Sequence, residues 1–339
     1  MKYQMLEKCD GCVLAMDLID DNNLLILKKG TVIDNWIITR LKNFGIFSLG
    51  IEDPMSDDID ISSPVSDKTV IEACHAIDTN NPTARIVDID KVFQAASKLV
   101  DEICQNVALV KNGYHTIKMY DENTSLHSVN VAILAAMFGL SLGFNIRKIN
   151  NLGVGGLLHD IGKSRVPIEI INKSGKLDAE ELAEMRKHPQ YGLEILQKDI
   201  LIPATVKAIA YQHHENWDGT GYPRGLREHE VYELAAIVHI CDVFDALISK
   251  RSYKDSFSFS ETIQYMKEQS GKMFSPYYIK YFFRNIPVFH TGTDVILSNN
   301  EKAIVVRNNY GDMTRPVVRL YSDMSEVDLS KRDDMEIIS

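Results

Sequence analysis

The sequence has no excess of positive charge. Its 37 Lys and Arg stand against 47 Asp and Glu, a net charge of −10. Such a surface repels long polyanions, which argues against a sequence-independent nucleic-acid binder. A small anionic ligand is still compatible, because a local cluster of cations can outweigh the global charge. Cysteine is also scarce. Cys9, Cys12, Cys74, Cys104 and Cys241 are odd in number and mostly far apart, so no disulfide framework is expected and a reducing compartment is. Cys9-Asp10-Gly11-Cys12 lacks the second ligand pair of a structural zinc site and reads as ordinary packing. Long apolar runs are missing too. The most apolar segment, Val129 to Phe144, contains Asn130 and Ser141 and falls short of the ~20 residues that span a bilayer. No stretch of signal-peptide type opens the chain. A soluble, cytoplasmic protein without membrane insertion is the expectation.

What is present is an ordinary globular mixture, 45% hydrophobic and 25% charged. The 339 residues exceed one ordinary domain. Residues 1–85 predict a small α/β domain followed by a linker. Val13 to Ile19 and Leu24 to Leu27 flank a turn at Asp20-Asp21-Asn22-Asn23, Asp34 caps a helix, and the acidic Glu52 to Lys68 reads as the linker. Residues 86–287 show helical periodicity, as in Val92, Ala95, Ala96, Leu99, Val100, Ile103 and Val107. Residues 288–339 carry short β-type runs at Asp294 to Leu297, Ala303 to Val306 and Val317 to Tyr321. The expected class is mainly α, with a β-rich C-terminal appendix.

The chemistry concentrates in the helical part. His127 opens the most apolar helix. His159-Asp160 ends another, His188 precedes Pro189, His213-His214 closes a third, and Asp242 lies within Ile237 to Leu247. Imidazole and carboxylate together bind iron, manganese or zinc. Seven such groups exceed the ligand set of one typical zinc site and suit two adjacent metals sharing a carboxylate, for which Asp160 is the choice. A lone histidine is usually a hydrogen-bonded core or surface residue, so His75, His115, His229, His239 and His290 receive no role. Lys163, three residues after Asp160, falls on the same face of a helical turn. Gly162-Lys163-Ser164 resembles the end of a P-loop, but Leu157 stands where that motif needs glycine. Trp217 to Gly225 forms a tight Gly/Pro loop that could project Tyr222 toward a ligand. Arg251, Tyr253 and Lys254 follow the Asp242 helix and could grip phosphate.

Taken in order, these segments resemble the HD-GYP family, a branch of the HD phosphohydrolase superfamily. The resemblance covers roughly residues 90 to 287. It rests on Asp121 to Ser128, His159-Asp160-Ile161-Gly162-Lys163, His188-Pro189, His213-His214-Glu215, Gly221-Tyr222-Pro223, Asp242 to Leu247 and Arg251-Ser252-Tyr253-Lys254. It implies a helical bundle around a bi- or trinuclear iron or manganese site. The implied activity is hydrolysis of cyclic di-GMP to linear pGpG by a metal-bridging hydroxide, with GMP as a further product or cyclic GMP-AMP as the substrate in some members. By motif, one metal takes His127, His159, Asp160 and Asp242, and the other Asp160, His188, His213 and His214. Lys163 matches a lysine contacting the bridging region, and Tyr222, Arg251 and Lys254 match substrate contacts. Asn123 stands where trinuclear members place glutamate, so two metals are expected. Ser275 stands where the family usually has Asp, with little consequence expected. Two alternatives stand beside this: a binding module that senses a cyclic dinucleotide without cleaving it, whose mark, a missing ligand, is absent from the seven, and a different phosphohydrolase acting on nucleotides or 2′,3′-cyclic phosphates, against which the Gly-Tyr-Pro loop and Arg251 argue only through the resemblance. A homodimer, or a signalling partner at the Gly-Tyr-Pro loop or the N-terminal domain, is compatible with the sequence.

Overall fold

The computed structural model describes residues 2–19, 24–43, 46, 48–77, 88–113, 124–173, 175–248 and 258–338. The chain begins with β1 (Lys2–Met5), β2 (Leu18–Ile19), β3 (Leu25–Leu27), α1 (Asn35–Asn43), β4 (Ser48–Ile51) and α2 (Asp67–Ile77). Next come α3 (Ile89–Gln105), α4 (Val107–Val110), α5 (Thr124–Ser141), α6 (Ile146–Leu158), α7 (Ile168–Ile171), α8 (Ala179–Met185) and α9 (His188–Leu196). Then follow α10 (Ala204–Gln212), α11 (Glu233–Ile248), α12 (Phe259–Glu268) and α13 (Pro276–Asn285). The chain closes with β5 (Asp294–Ile296), β6 (Lys302–Asn309), β7 (Asp312–Leu320) and β8 (Glu326–Asp328). The protein is mainly helical, with a β-containing N-terminal region and a short C-terminal sheet. No helix among the described residues is long and apolar enough to cross a membrane.

The chain divides into two compact units. One comprises the described parts of Met1–Ile71, Asn106–Asn123 and Phe283–Ser339; the other comprises Glu72–Gln105 and Thr124–Phe282.

In the first unit, β1 pairs antiparallel with β4 and β2 with β3. Asp34 caps α1 as its position implies: its Oδ1 accepts from the Ile37 N–H at 2.7 Å. Leu6, Leu14, Ile33, Leu41 and Leu49 are buried together beneath these elements. The C-terminal strands form one antiparallel sheet in the order β5-β6-β7-β8. The acidic segment read as a linker is packed instead. Met55, Ile59 and Ile61 are buried against Ile304 of β6, and Arg319 of β7 donates to both Asp58 oxygens at 2.6 and 2.7 Å. Its charge and proline hid a sparse apolar set that completes the core of the sheet, so N- and C-terminal segments share one unit.

The second unit is a helical bundle. Every residue from Ser128 to Phe138 of α5 is buried, which explains a helix apolar on all sides. A Cβ on Gly156 of α6 would stand 2.5 Å from the Ala132 Cα of α5, so these helices touch at backbone distance. Of the expected stripe, Val92, Ala95, Ala96, Leu99, Val100 and Ile103 are buried on α3, whereas Val107 opens the short α4 and is exposed. Such close packing fixes the ends of α6, α9 and α10, where the chemistry-bearing residues lie.

Candidate metal centre

Helix termini deliver most of the site. His127 is in the first turn of α5, and His159-Asp160 follows the last residue of α6. His188 is the first residue of α9, His213-His214 follows α10, and Asp242 lies inside α11. A single-turn helix at Ile161–Arg165 follows Asp160. There a Cβ on Gly162 would stand 1.9 Å from the His188 carbonyl oxygen. Only glycine lets α9 approach this closely, and the approach brings His188 to Asp160.

Three histidines share one local device. The Nδ1 atoms of His159, His188 and His213 face the carbonyls of Gly156, Met185 and Ala210, three residues earlier, at 2.7, 2.8 and 3.0 Å. A carbonyl only accepts, so Nδ1 carries the proton and the Nε2 lone pair is turned inward, the tautomer a metal needs. Asp160 lies between two ligand sets. Its Oδ2 is 3.2 Å from His159 Nε2, while its Oδ1 is 3.4 Å from His188 Nε2 and 3.7 Å from His213 Nε2. Lys163 Nζ donates to Asp160 Oδ2 at 2.5 Å, the approach expected from their spacing. On the other flank, His127 Nε2 lies 3.0 Å from Asp242 Oδ1.

The electrostatics suit cations. Burial opposes ionisation of Asp160 and Asp242, yet their cationic and imidazole neighbours hold both carboxyls well below the usual range: Lys163 and His159 for Asp160, His127 and His159 for Asp242. Burial pushes His188 down to about 3, and burial with His213 nearby lowers His214 well below its ordinary value. Both rings therefore stay neutral. His127 differs: burial disfavours its charge, but hydrogen bonds with Asp242 and Asp245 outweigh this and raise its pKa to about 9. Its Nε2 faces Asp242 Oδ1, its partner in one set of close ligand atoms.

The ligand atoms form two sets of metal-binding dimensions. In each, all atoms lie within 4.8 Å of one another: Asp160, His188, His213 and His214 in one, His127, His159 and Asp242 in the other. A fit test comes from the buried polar atoms. His159 Nε2 and Asp160 Oδ1 have no hydrogen-bond partner among the described residues. Buried polar atoms without partners are costly, and these two point into the sets, so divalent cations fit. Two clustered His/Asp sites for divalent metal are present.

The Gly/Pro loop closes over one side. Tyr222 stacks on His214, with ring centroids 4.8 Å apart and planes at 25°. Burial raises its phenol pKa, so it remains a neutral hydrogen-bond donor. Glu215, named in the sequence only as part of a motif, pins this loop: its carboxylate accepts from the N–H groups of Arg224 and Leu226 at 2.7 and 3.0 Å. Asp245 likewise enters the sequence reading only as part of a motif, with no role of its own. It accepts from His127 Nδ1 at 2.7 Å and from Asn130 Nδ2 at 2.9 Å. Its spacing of three from Asp242 was the available signal. His239, given no role from sequence, joins His214 and Asp242 in a third set of close ligand atoms. Asn123, Arg251, Tyr253 and Lys254 lie outside the described residues.

Comparison with known proteins agrees with this geometry. The HD domain family matches residues 109–277. A cyclic di-GMP phosphodiesterase of Pseudomonas aeruginosa is 35% identical over 229 residues, 67% of this chain and 55% of that protein. A 3'3'-cGAMP-specific phosphodiesterase of Vibrio cholerae is 35% identical over 190 residues, 56% of this chain and 36% of that protein. The chain thus spans about half or less of the length of these curated relatives. Among solved structures, an HDG"Y"P protein from Bdellovibrio bacteriovorus matches with a TM-score of 0.53 at 22% identity, covering 83% of this chain and 97% of that one, a likeness of fold. The chain belongs to the HD-type phosphohydrolase superfamily. Within it, the chain is related to the HD-GYP and HD-domain cyclic-dinucleotide phosphodiesterases.

Proposed function

We propose that this chain is a metal-dependent phosphodiesterase that opens cyclic di-GMP to linear pGpG, with two iron or manganese ions as cofactors. The observation that carries the reading is the position of Asp160. One carboxylate oxygen faces His159 and the other faces His188 and His213, as a ligand shared by two ions requires. His127, His159 and Asp242 complete one position, and His188, His213 and His214 the other. When bound, such ions acidify coordinated water and neutralise charge building on phosphoryl oxygens.

The chain's own residues do the remaining work. The carbonyl-locked histidines keep their lone pairs turned inward, so little reorganisation is needed on loading. Lys163 holds a positive charge against Asp160, from where it can donate to a phosphoryl oxygen. Tyr222 offers a neutral donor beside His214. By the resemblance, Arg251 and Lys254 hold the second phosphate and so position the first.

A second reading concerns the base. Equal identity to a 3'3'-cGAMP-specific enzyme makes cyclic GMP-AMP the rival substrate. The test is an anaerobic assay with iron(II) or manganese(II) over a panel of cyclic dinucleotides, with linear and mononucleotide products resolved. Preferential opening of cyclic di-GMP supports the first reading, and preference for cyclic GMP-AMP the second. Tight binding of a cyclic dinucleotide without cleavage by fully loaded protein would replace the enzyme with a sensor.

A further inference from the structure

His239 lies on α11 three residues before Asp242, so both side chains leave the same face of that helix. Its side chain is buried, with only 3% of the residue exposed. No hydrogen bond of ordinary geometry reaches either ring nitrogen from the described residues, and the polar backbone nearest the ring is that of His213. An imidazole carries one donor and one acceptor when neutral, so even with its N–H turned to the His213 backbone the lone-pair nitrogen of this ring stays without a partner inside the protein. It is also oriented toward chemistry. Its ring centroid is 6.4 Å from that of His214, and one nitrogen lies within 4.8 Å of ligand atoms of both His214 and Asp242. Phe274 packs on it with centroids 5.3 Å apart, an apolar wall.

We propose that His239, His214 and Asp242 form a third divalent-cation position, adjoining the two of the proposed function. Two imidazoles and one carboxylate with open positions suit a first-row cation such as manganese(II) or iron(II). The arrangement leaves coordination positions for water or a phosphoryl oxygen. His214 and Asp242 also serve the other two positions, so the third binds more weakly. Two of its three ligands come from the Asp242 helix. The inference rests on His214 and Asp242 belonging to the metal centre.

The test counts ions. Metal-free full-length protein is titrated anaerobically with manganese(II), following free manganese by electron paramagnetic resonance and total metal by elemental analysis. The wild type is expected to take up three ions per chain, the third at least tenfold more weakly than the first two. His239→Phe keeps the size and ring contacts but has no ligand atom, and it should saturate at two. His239→Gln, which retains an amide, is a second variant should phenylalanine disturb folding, with circular dichroism as the check on both. A wild type that saturates at two overturns the proposal and leaves the two-ion reading standing. That is the result expected if water in the small cavity beside Glu215, Trp217, Phe274 and Ser275 satisfies the ring. Three ions in both His239 variants would also overturn it. Fewer than two ions in the wild type would overturn the underlying two-ion reading as well.

Discussion

The Nδ1 atom of His127 is 2.7 Å from Asp245 Oδ2, and Asp245 is itself fixed by Asn130. This carboxylate orients the imidazole and raises its basicity without reaching the metal position. Asp245→Ala should weaken metal at the His127 position by ~10–100-fold, the usual effect of losing such a partner. The His188/His213 position should keep its affinity. Stepwise manganese(II) titration resolves the two. Equal weakening of both would show that Asp245 acts on the fold as a whole.

Asp160→Asn removes the charge facing both ligand sets while keeping the side-chain size. Turnover should be abolished and metal content reduced at both positions. Elemental analysis alongside the phosphodiesterase assay checks this. Wild-type rate and metal load in the variant would exclude Asp160 as the shared ligand.

Substrate grip and metal binding should separate. Arg251→Ala is expected to leave metal content unchanged and weaken cyclic-dinucleotide binding by ~1.5–3 kcal/mol, the range for a charge-assisted hydrogen bond. Lys254→Ala should lose less, since a point charge lacks the fork of arginine. His188→Ala should lose metal and rate together. Calorimetric titration with a non-hydrolysable dinucleotide, run with metal analysis, compares the three, and unchanged affinity in Arg251→Ala would remove that residue from the substrate site.

Stability should carry a pH signature from Asp67, at the start of α2. Burial raises its pKa from 3.8 to about 6. The folded state therefore binds this proton more tightly than the unfolded one. The contribution is fully present below about pH 4, is lost as pH rises through about 6, and stays lost above. Asp67→Asn should flatten this window and raise stability at pH 7 by about 1–3 kcal/mol. Urea unfolding at several pH values measures it; a variant no more stable than the wild type at pH 7 contradicts the assignment.

The sequence by itself determined the helical character of the bundle and named the candidate ligands of two His/Asp clusters. Periodicity marked α3, the apolar run marked α5, and the ordered His and Asp positions named all seven members of the two metal-binding sets. Such features are local: a helical face repeats every three to four residues, and a ligand must be of a certain residue type. Lys163 was legible for the same reason, being one turn from Asp160. Only the tertiary structure decided what depends on residues distant in the chain. It placed Asp245 behind His127 across 118 positions and packed Met55, Ile59 and Ile61 against Ile304. It also turned His239 toward His214 and Asp242. Neither spacing nor composition specifies which buried polar groups find partners. That depends on how helices close over one another, and here contacts such as Gly162 against the His188 carbonyl set the distances.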